Sequence, residues 1–405
     1  MEDIKNGDVD EKRSAYTYDE AVEMTGHGRY NYWLLTACCI TSDAFSLDVF
    51  GFATVVAASS CDLQLGLKEI GILASAPFAG VLFAFPWGYY ADTSGRRRAL
   101  VLSTAMGFFF AAVSSFAPSW QFMLAVKLIG CTFSTASFTL SMTILGECTG
   151  VSHRSRFLLI MNAFNIASEF VGFSLAYLML PLSFNVPLPW LGITFRSWRL
   201  YTMIMALPLG IGALFFWFLD ESPKYLASRG DNRKALEVLK RMYEINGGKK
   251  DEYPVKHILT TDTSIKADSS FWKSIQEHTV PIFKPPLLWR TVQLFFLLAL
   301  CCGINNVLVM WFPTMVNFFF NSFQVEQWNQ MTFCERMFTA TNTSTEIDTY
   351  TCNETISTNT LYSGMVYGLF FFVLNLAMAK IATRPRLVLT SILAVSGVSA
   401  MLVNL

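Results

Sequence analysis

Long blocks of apolar residues alternate with short polar or basic segments along the whole chain. Residues 70–91 carry no charged side chain, and neither do residues 99–126. Uncharged runs of about 18 or more residues predict membrane-spanning helices, because hydrocarbon leaves the backbone no partner except itself. Nine such spans are expected, over 33–58, 70–91, 99–117, 120–146, 157–180, 200–219, 291–320, 358–379 and 387–405. Asp43 and Asp48 interrupt the first, Glu169 the fifth, and Lys127 lies within the fourth. Residues 235–242 repeat at helical spacing, with Ala235, Leu236, Leu239 and Met242 on one face and Lys and Arg on the other. A helix there, ending at Gly247-Gly248, is expected to pack on the span ends. A calmodulin or lipid site is the alternative.

Charge sets the orientation. Only 15% of the 405 residues are charged and 53% are hydrophobic, against about 25% charged in soluble domains. Net charge is zero, so nothing points to nucleic acid. With a cytoplasmic N-terminus, 25 of the 30 Lys and Arg fall in segments 1–32, 92–98, 147–156, 220–290 and 380–386. That asymmetry is the positive-inside pattern. The expected organisation is a cytoplasmic N-terminal segment (1–32), a six-helix bundle (33–219), a cytoplasmic inter-half loop (220–290) and a partial C-terminal bundle (291–405). The last includes an outer loop, 321–357. Nine spans put the C-terminus outside and the ninth runs to Leu405 without a polar tail, so a truncated chain is expected. Such a chain is expected not to complete a transport cycle.

The outer loop contains two glycosylation triplets, at Asn342 and Asn353. It also holds Cys334 and Cys352 on the oxidising side, an expected disulfide for which Cys61 competes. The remaining cysteines lie in or beside spans, adjacent rather than spaced as metal ligands, so no cofactor is expected. No phosphate-cradling glycine loop and no metal-spaced histidine pair occurs, which argues against an enzyme.

Charged residues within a bilayer are costly and usually face a protein interior or a water path. Asp43 and Asp48 are five residues apart, about 140° around a helix, so they do not stack. Each is a candidate proton- or cation-binding carboxylate, or else a partner of Lys127. Glu169 is a third candidate, and Lys127 could instead bind an anion. In the seventh span Asn305 and Asn306 precede Trp311-Phe312-Pro313, which suggests a discontinuous helix lining a cavity. The other reading is amides bonded to a neighbouring helix.

The turn between spans two and three reads Gly88-x-x-x-Asp92-x-x-Gly95-Arg96-Arg97. Gly88 and Gly95 are expected to permit close packing and a tight turn, and Asp92 to attract a helix N-terminus. Arg96 and Arg97 can pair with acids at other cytoplasmic helix ends. Glu147 and Arg154 flank the next cytoplasmic loop and complete a candidate cytoplasmic gate; the bland reading is that the arginines only set topology. A weaker second copy, Lys380-Ile-Ala-Thr-Arg-Pro-Arg386, lacks the Asp and Gly.

This turn resembles the loop signature of the major facilitator superfamily. Glu221-Ser-Pro-Lys-Tyr-Leu226 and Gly303-Ile-Asn305 resemble its sugar- and organic-ion-type members. Gly26-His-Gly-Arg-Tyr30, Asp43, Ser197-Trp-Arg199 and Trp311-Phe-Pro-Thr-Met315 resemble the synaptic vesicle glycoprotein 2 and synaptic-vesicle-2-related branch. The resemblance covers most of residues 16–320. It implies an all-α fold of two six-helix halves rocking about a midplane site, here a six-helix half plus about three helices. It implies a monomer in the plasma or vesicle membrane carrying a small solute, an organic ion or a sugar, with a non-transporting vesicle-trafficking or receptor role as the alternative. Three departures stand out. Ser46 occupies the place of a second acid, Lys127 stands where Arg is usual, and the loop after span seven is short.

Overall fold

The computed structural model describes residues 15–259, 280–322, 335 and 356–381. Its elements follow the apolar blocks closely. A short strand β1 (Ala15–Thr17) and helix α1 (Tyr18–Glu23) precede the membrane. The first span is a broken helix, α2 (Arg29–Val49) and α3 (Phe52–Ser59), and the second is α4 (Leu67–Val81) and α5 (Ala84–Ser94). Then come α6 (Arg96–Ser114), α7 (Trp120–Glu147), α8 (Val151–Met179) and α9 (Ser197–Phe218). A small hairpin, β2 (Val186–Leu188) and β3 (Ile193–Phe195), joins α8 to α9. Beyond α9 lie α10 (Pro223–Ser228), α11 (Asn232–Ile245) and β4 (His257–Leu259). The long helices α12 (Leu288–Ser322) and α13 (Thr358–Ile381) close the described chain.

Eight helices among the described residues are long and apolar enough to cross a membrane. They match the first eight expected spans; residues 387–405, expected as the ninth, lie outside the described residues. The chain is therefore a multi-pass membrane protein, mostly helical.

Packing is by small residues. A Cβ at Gly80 would stand 2.5 Å from the Cβ of Cys131 on α7, and one at Gly212 would stand 2.6 Å from the Thr41 hydroxyl on α2. Without a hydrophobic drive between helices in lipid, such close approach supplies the contact energy. The helix α7 packs along α6, α4 and α2, while α9 bridges α6 and α2. The helix α13 lies lengthwise on α8. There a Cβ at Gly368 would come within 2.9 Å of the Glu169 carbonyl carbon.

One end of the bundle, here the N-face, gathers the turn at Gly95, the 148–150 turn, residues 15–28 and the 220–259 segment. The amphipathic helix α11 sits on it, with Ala235, Leu239 and Met242 buried in the same hydrophobic cluster as Tyr30, Leu145 and Phe216. Asp231 caps its N-terminus by accepting the Lys234 N–H at 3.2 Å. Asn246, at its C-terminus, accepts the Tyr30 N–H at 3.0 Å and donates to Thr25 O at 3.1 Å. This segment is thus pinned to the start of the first span. A parallel pairing of β1 with β4 and a Tyr253 hydroxyl bond to Ala21 O (2.6 Å) complete the cap. Both strand pairs are absent from the apolar pattern, because three-residue strands are too short to show a period.

Candidate functional site

Two clusters hold part of the set of residues singled out from the sequence. The first is inside the membrane. Asp48 on α2 and Lys127 on α7 form an ion pair at 2.5 Å, with both side chains nearly fully buried. Ser134 donates to the other Asp48 oxygen at 2.8 Å, and Lys127 also donates to the Asp48 backbone oxygen at 2.5 Å. The ammonium lies 4.6 Å from the centre of the Phe52 ring. A space of only about 10 Å³ adjoins the pair, at the lower limit for one water. Of the two readings of Asp48, the structure realises the partner of Lys127.

Asp43, one and a half turns earlier, points elsewhere. It is half-buried and has no hydrogen-bond or ion-pair partner among the described residues. Glu169 on α8 is likewise half-buried and unpartnered among them, beside the close approach of α13. Between these carboxylates, Asn165 joins α8 to α2 by donating to Ser42 O at 3.1 Å and to the Ser46 hydroxyl at 2.5 Å. Ser46, standing where a second acid was expected, is therefore a helix-to-helix acceptor.

The seventh span corrects one expectation. The helix α12 runs unbroken through Asn305, Asn306 and Pro313. In hydrocarbon a freed carbonyl gains nothing by unwinding, so the helix carries its proline. Asn305 is exposed and Asn306 half-buried. The following aromatic pair packs instead: Phe312 meets Phe173 of α8 at 5.9 Å and Tyr367 of α13 at 5.1 Å between ring centres.

The second cluster is the turn on the N-face. Gly95 has φ +108°, and a Cβ there would collide with the Glu221 carboxylate. Glycine is required at this position on both counts. Gly88 is different: a Cβ there would meet nothing within 4 Å, so close packing does not explain it. The carboxylate expected at a helix N-terminus is also a different one. Asp92 pairs with Arg96 at 2.8 Å. It is Glu221 that accepts the Arg97 N–H at 2.9 Å, in the first turn of α6, and the Ser222 N–H at 3.0 Å. There it meets the positive end of the helix. The Arg97 guanidinium turns the other way and caps the last carbonyls of α9, with Phe216 O at 3.1 Å and Trp217 O also accepting.

Glu147 does join the turn. Its carboxylate lies 3.4 Å from Arg96 Nε and accepts the Ser222 hydroxyl, and its backbone oxygen accepts Tyr18 Oη at 2.8 Å. Burial pushes the Tyr18 phenol well above its usual range, which keeps it a donor. Arg154 does not join: it pairs with Asp19 at 2.7 Å, and ties α1 to the start of α8. Pro223 opens α10, and Ser222 caps it by accepting the Tyr225 N–H at 3.3 Å. Tyr225 then donates to Thr93 O at 2.9 Å. The Glu221-to-Tyr225 segment is the lock plate of this turn. Its signal was an acid and a Ser-Pro helix start directly after a span.

Sequence reasoning also missed Asp62 at the opposite face. It receives Trp198 Nε1 at 3.1 Å and Arg199 Nη2 at 3.1 Å, with Arg196 Nε at 3.5 Å. Arg199 is 2% exposed and donates to Ser115 O and Ala117 O at 3.1 and 2.8 Å. The neighbouring Cys61 is disulfide-bonded. Cys334, Cys352, Asn342 and Asn353 lie outside the described residues.

Eight membrane helices and a basic turn locked by an acid after the sixth define a multi-span helical membrane protein. The sequence profile of the Major Facilitator Superfamily matches residues 36–405, and the chain belongs to that family. Among curated proteins it is 24% identical over 338 residues to Synaptic vesicle glycoprotein 2B of Rattus norvegicus, covering 76% of this chain and 49% of that protein. It is 26% identical to Synaptic vesicle glycoprotein 2C of Mus musculus (59% of this chain, 33% of that one) and 27% identical to Putative transporter SVOPL of Homo sapiens (57% and 44%). The chain spans about half the length of the 2B protein it matches. Among solved structures, the partially occluded inward open xylose transporter XylE from E. coli is 14% identical, covering 87% of this chain and 88% of that one with a TM-score of 0.48.

Proposed function

We propose that the chain belongs to a transporter that moves a small solute, an organic ion or a sugar, by alternating access with a proton or cation as coupling partner. The observation that carries this is the contrast among the membrane acids. Asp48 is neutralised by Lys127, whereas Asp43 and Glu169 are half-buried without a partner among the described residues. A carboxylate left unpaired in a membrane is stable mainly when protonated or when it faces a water path. Asp43 and Glu169 are the coupling candidates in this reading. Asp48–Lys127 is the fixed strut, and Asn305 and Asn306 sit on the seventh span as secondary solute contacts.

The same reading puts the N-face in the cytoplasm of a plasma or vesicle membrane, in keeping with the Lys and Arg distribution. Residues 33–219 and 291–405 form the two halves, joined by 220–290. The Gly95–Glu221 lock then gates the cytoplasmic face, and Asn342 and Asn353 are glycosylated on the other side. That oxidising side holds Cys61, Cys334 and Cys352. The functional unit is a monomer. Solute uptake by the whole protein in proteoliposomes, with and without a proton gradient, is the test. Uptake that follows the gradient and loses that dependence in Asp43→Asn supports the proposal.

A second reading is a non-transporting role in vesicle trafficking or as a receptor; the relatives named as synaptic vesicle glycoproteins bring the vesicle into view. No flux under any gradient, together with altered vesicle release on deletion, would establish it instead.

A further inference from the structure

A cavity of about 340 Å³ opens on the N-face where α2, α9 and α11 meet. Its walls are Tyr30, Trp33, Phe215, Phe218 and Ile245, and its rim carries Asp220 and Arg241. Trp33 is 58% and Phe218 79% exposed, and Trp33 leans on Phe215 with ring centres 5.5 Å apart. The apolar face of α11 does not fill the space, since Ala235, Leu239 and Met242 are already buried against the bundle.

Position says what reaches this cup. Trp33 lies one turn into the first span and Phe218 ends the sixth, so the opening sits where hydrocarbon gives way to water. Aromatic side chains favour that boundary. A molecule entering from the bilayer at this level would be a membrane lipid, its upper acyl chain and glycerol facing the aromatic walls.

Charge says which lipid. The rim holds one cation and one anion, with Arg241 Nη1 2.8 Å from Asp220 Oδ1. The pair is not sealed in, because the arginine side chain is 57% exposed. An anionic headgroup would meet Arg241 but also the Asp220 carboxylate. A headgroup with a phosphate and a primary ammonium satisfies both, with phosphate oxygens on the guanidinium fork and N–H donors on Asp220. A quaternary ammonium has no N–H to give.

We infer that this cavity is a binding site for an aminophospholipid, whose phosphate is held by Arg241 and whose ammonium is held by Asp220. The site depends on membrane residence alone and not on the transport reading.

The purified whole chain in detergent, titrated with phosphatidylethanolamine, phosphatidylcholine and phosphatidylglycerol of identical acyl chains, tests this by native mass spectrometry. Phosphatidylethanolamine is expected to be retained about tenfold more than either of the others, the value of one charge-assisted hydrogen bond. Asp220→Asn should erase that preference, and Arg241→Gln should lower retention of all three lipids. Equal retention of the three by the unmodified chain overturns the inference, as does a preference for phosphatidylglycerol. That comparison needs no variant to fold.

Discussion

The Asp48 carboxylate and the Lys127 ammonium meet at 2.5 Å between the first and fourth spans, with side-chain exposures of 4% and 6%. Each charge is tolerated there because the other is present. Removing one partner strands the second in a low-dielectric interior, at a cost of about 3–5 kcal/mol, whereas replacing both is close to neutral. Lys127→Met should therefore sharply lower the thermal unfolding midpoint of the chain in detergent. Asp48→Asn combined with Lys127→Met should recover most of that loss. A double variant as unstable as the single would show that the pair is not the unit.

Gly95 and Glu221 make a second coupled pair. Gly95→Ala places a side chain in a positive-φ, extended-ψ conformation that essentially only glycine adopts, costing about 1–3 kcal/mol, and also drives its Cβ into the Glu221 carboxylate. Glu221→Ala relieves that collision but frees the Arg97 N–H. The two substitutions are expected to be non-additive, with Gly95→Ala less harmful in the Glu221→Ala background. Unfolding midpoints of the four proteins complete the cycle. Strict additivity would mean that the carboxylate yields without cost.

These two pairs show what a sequence can reveal here. The apolar blocks predicted eight spans that the structure contains, because lipid forces each block into one helix whatever its neighbours are. The short loop keeps Gly95 and Arg96 together as sequence neighbours, and Glu147, singled out beside the following loop, comes to 3.4 Å from Arg96 Nε. The turn signature could not reveal that Glu221, more than a hundred residues on, lies over Gly95, nor that Asp62 would receive Arg199. Those contacts arise from helix order in the bundle, which no local period encodes. Lys127 shows the same limit: three acids were open to it, and only the rotation of α2 against α7 selected Asp48. The expected break in the seventh span failed because proline is a weaker breaker in lipid than in water.

Arg199 binds three oxygens from two segments: the Asp62 carboxylate, and Ser115 O and Ala117 O just after α6. A lysine keeps the charge but cannot span that fork. Arg199→Lys should cost about 1–2 kcal/mol and Arg199→Ala about 3 kcal/mol, read as unfolding midpoints in detergent. A lysine variant as stable as the parent would reduce the role of Arg199 to charge alone.

His27 and His153 stack with ring centres 4.1 Å apart and planes 7° from parallel, joining the 24–28 turn to the start of α8. The groups around them are Tyr32, whose hydroxyl is 3.2 Å from His27 Nε2, and Ser152, whose hydroxyl is 2.8 Å from His153 Nδ1 and donates to Glu23. Arg156 is the nearby cation, while Arg154 is taken by Asp19. Burial, then His153 and Arg156, hold the His27 value below its ordinary 6.5. The neutral ring is thus the form the fold favours. The contact contributes fully above pH 6.5 and is lost as pH falls through the lowered value. Glu23, lowered from 4.5 by its bond from Ser152, keeps its contribution until more acid conditions, so the two steps separate. Hydrogen exchange of residues 15–28, corrected for intrinsic rates, should speed up as pH falls below 6.5, while the core of α7 stays protected. His27→Gln should flatten that response, and an unchanged pH profile in this variant would assign it to another group.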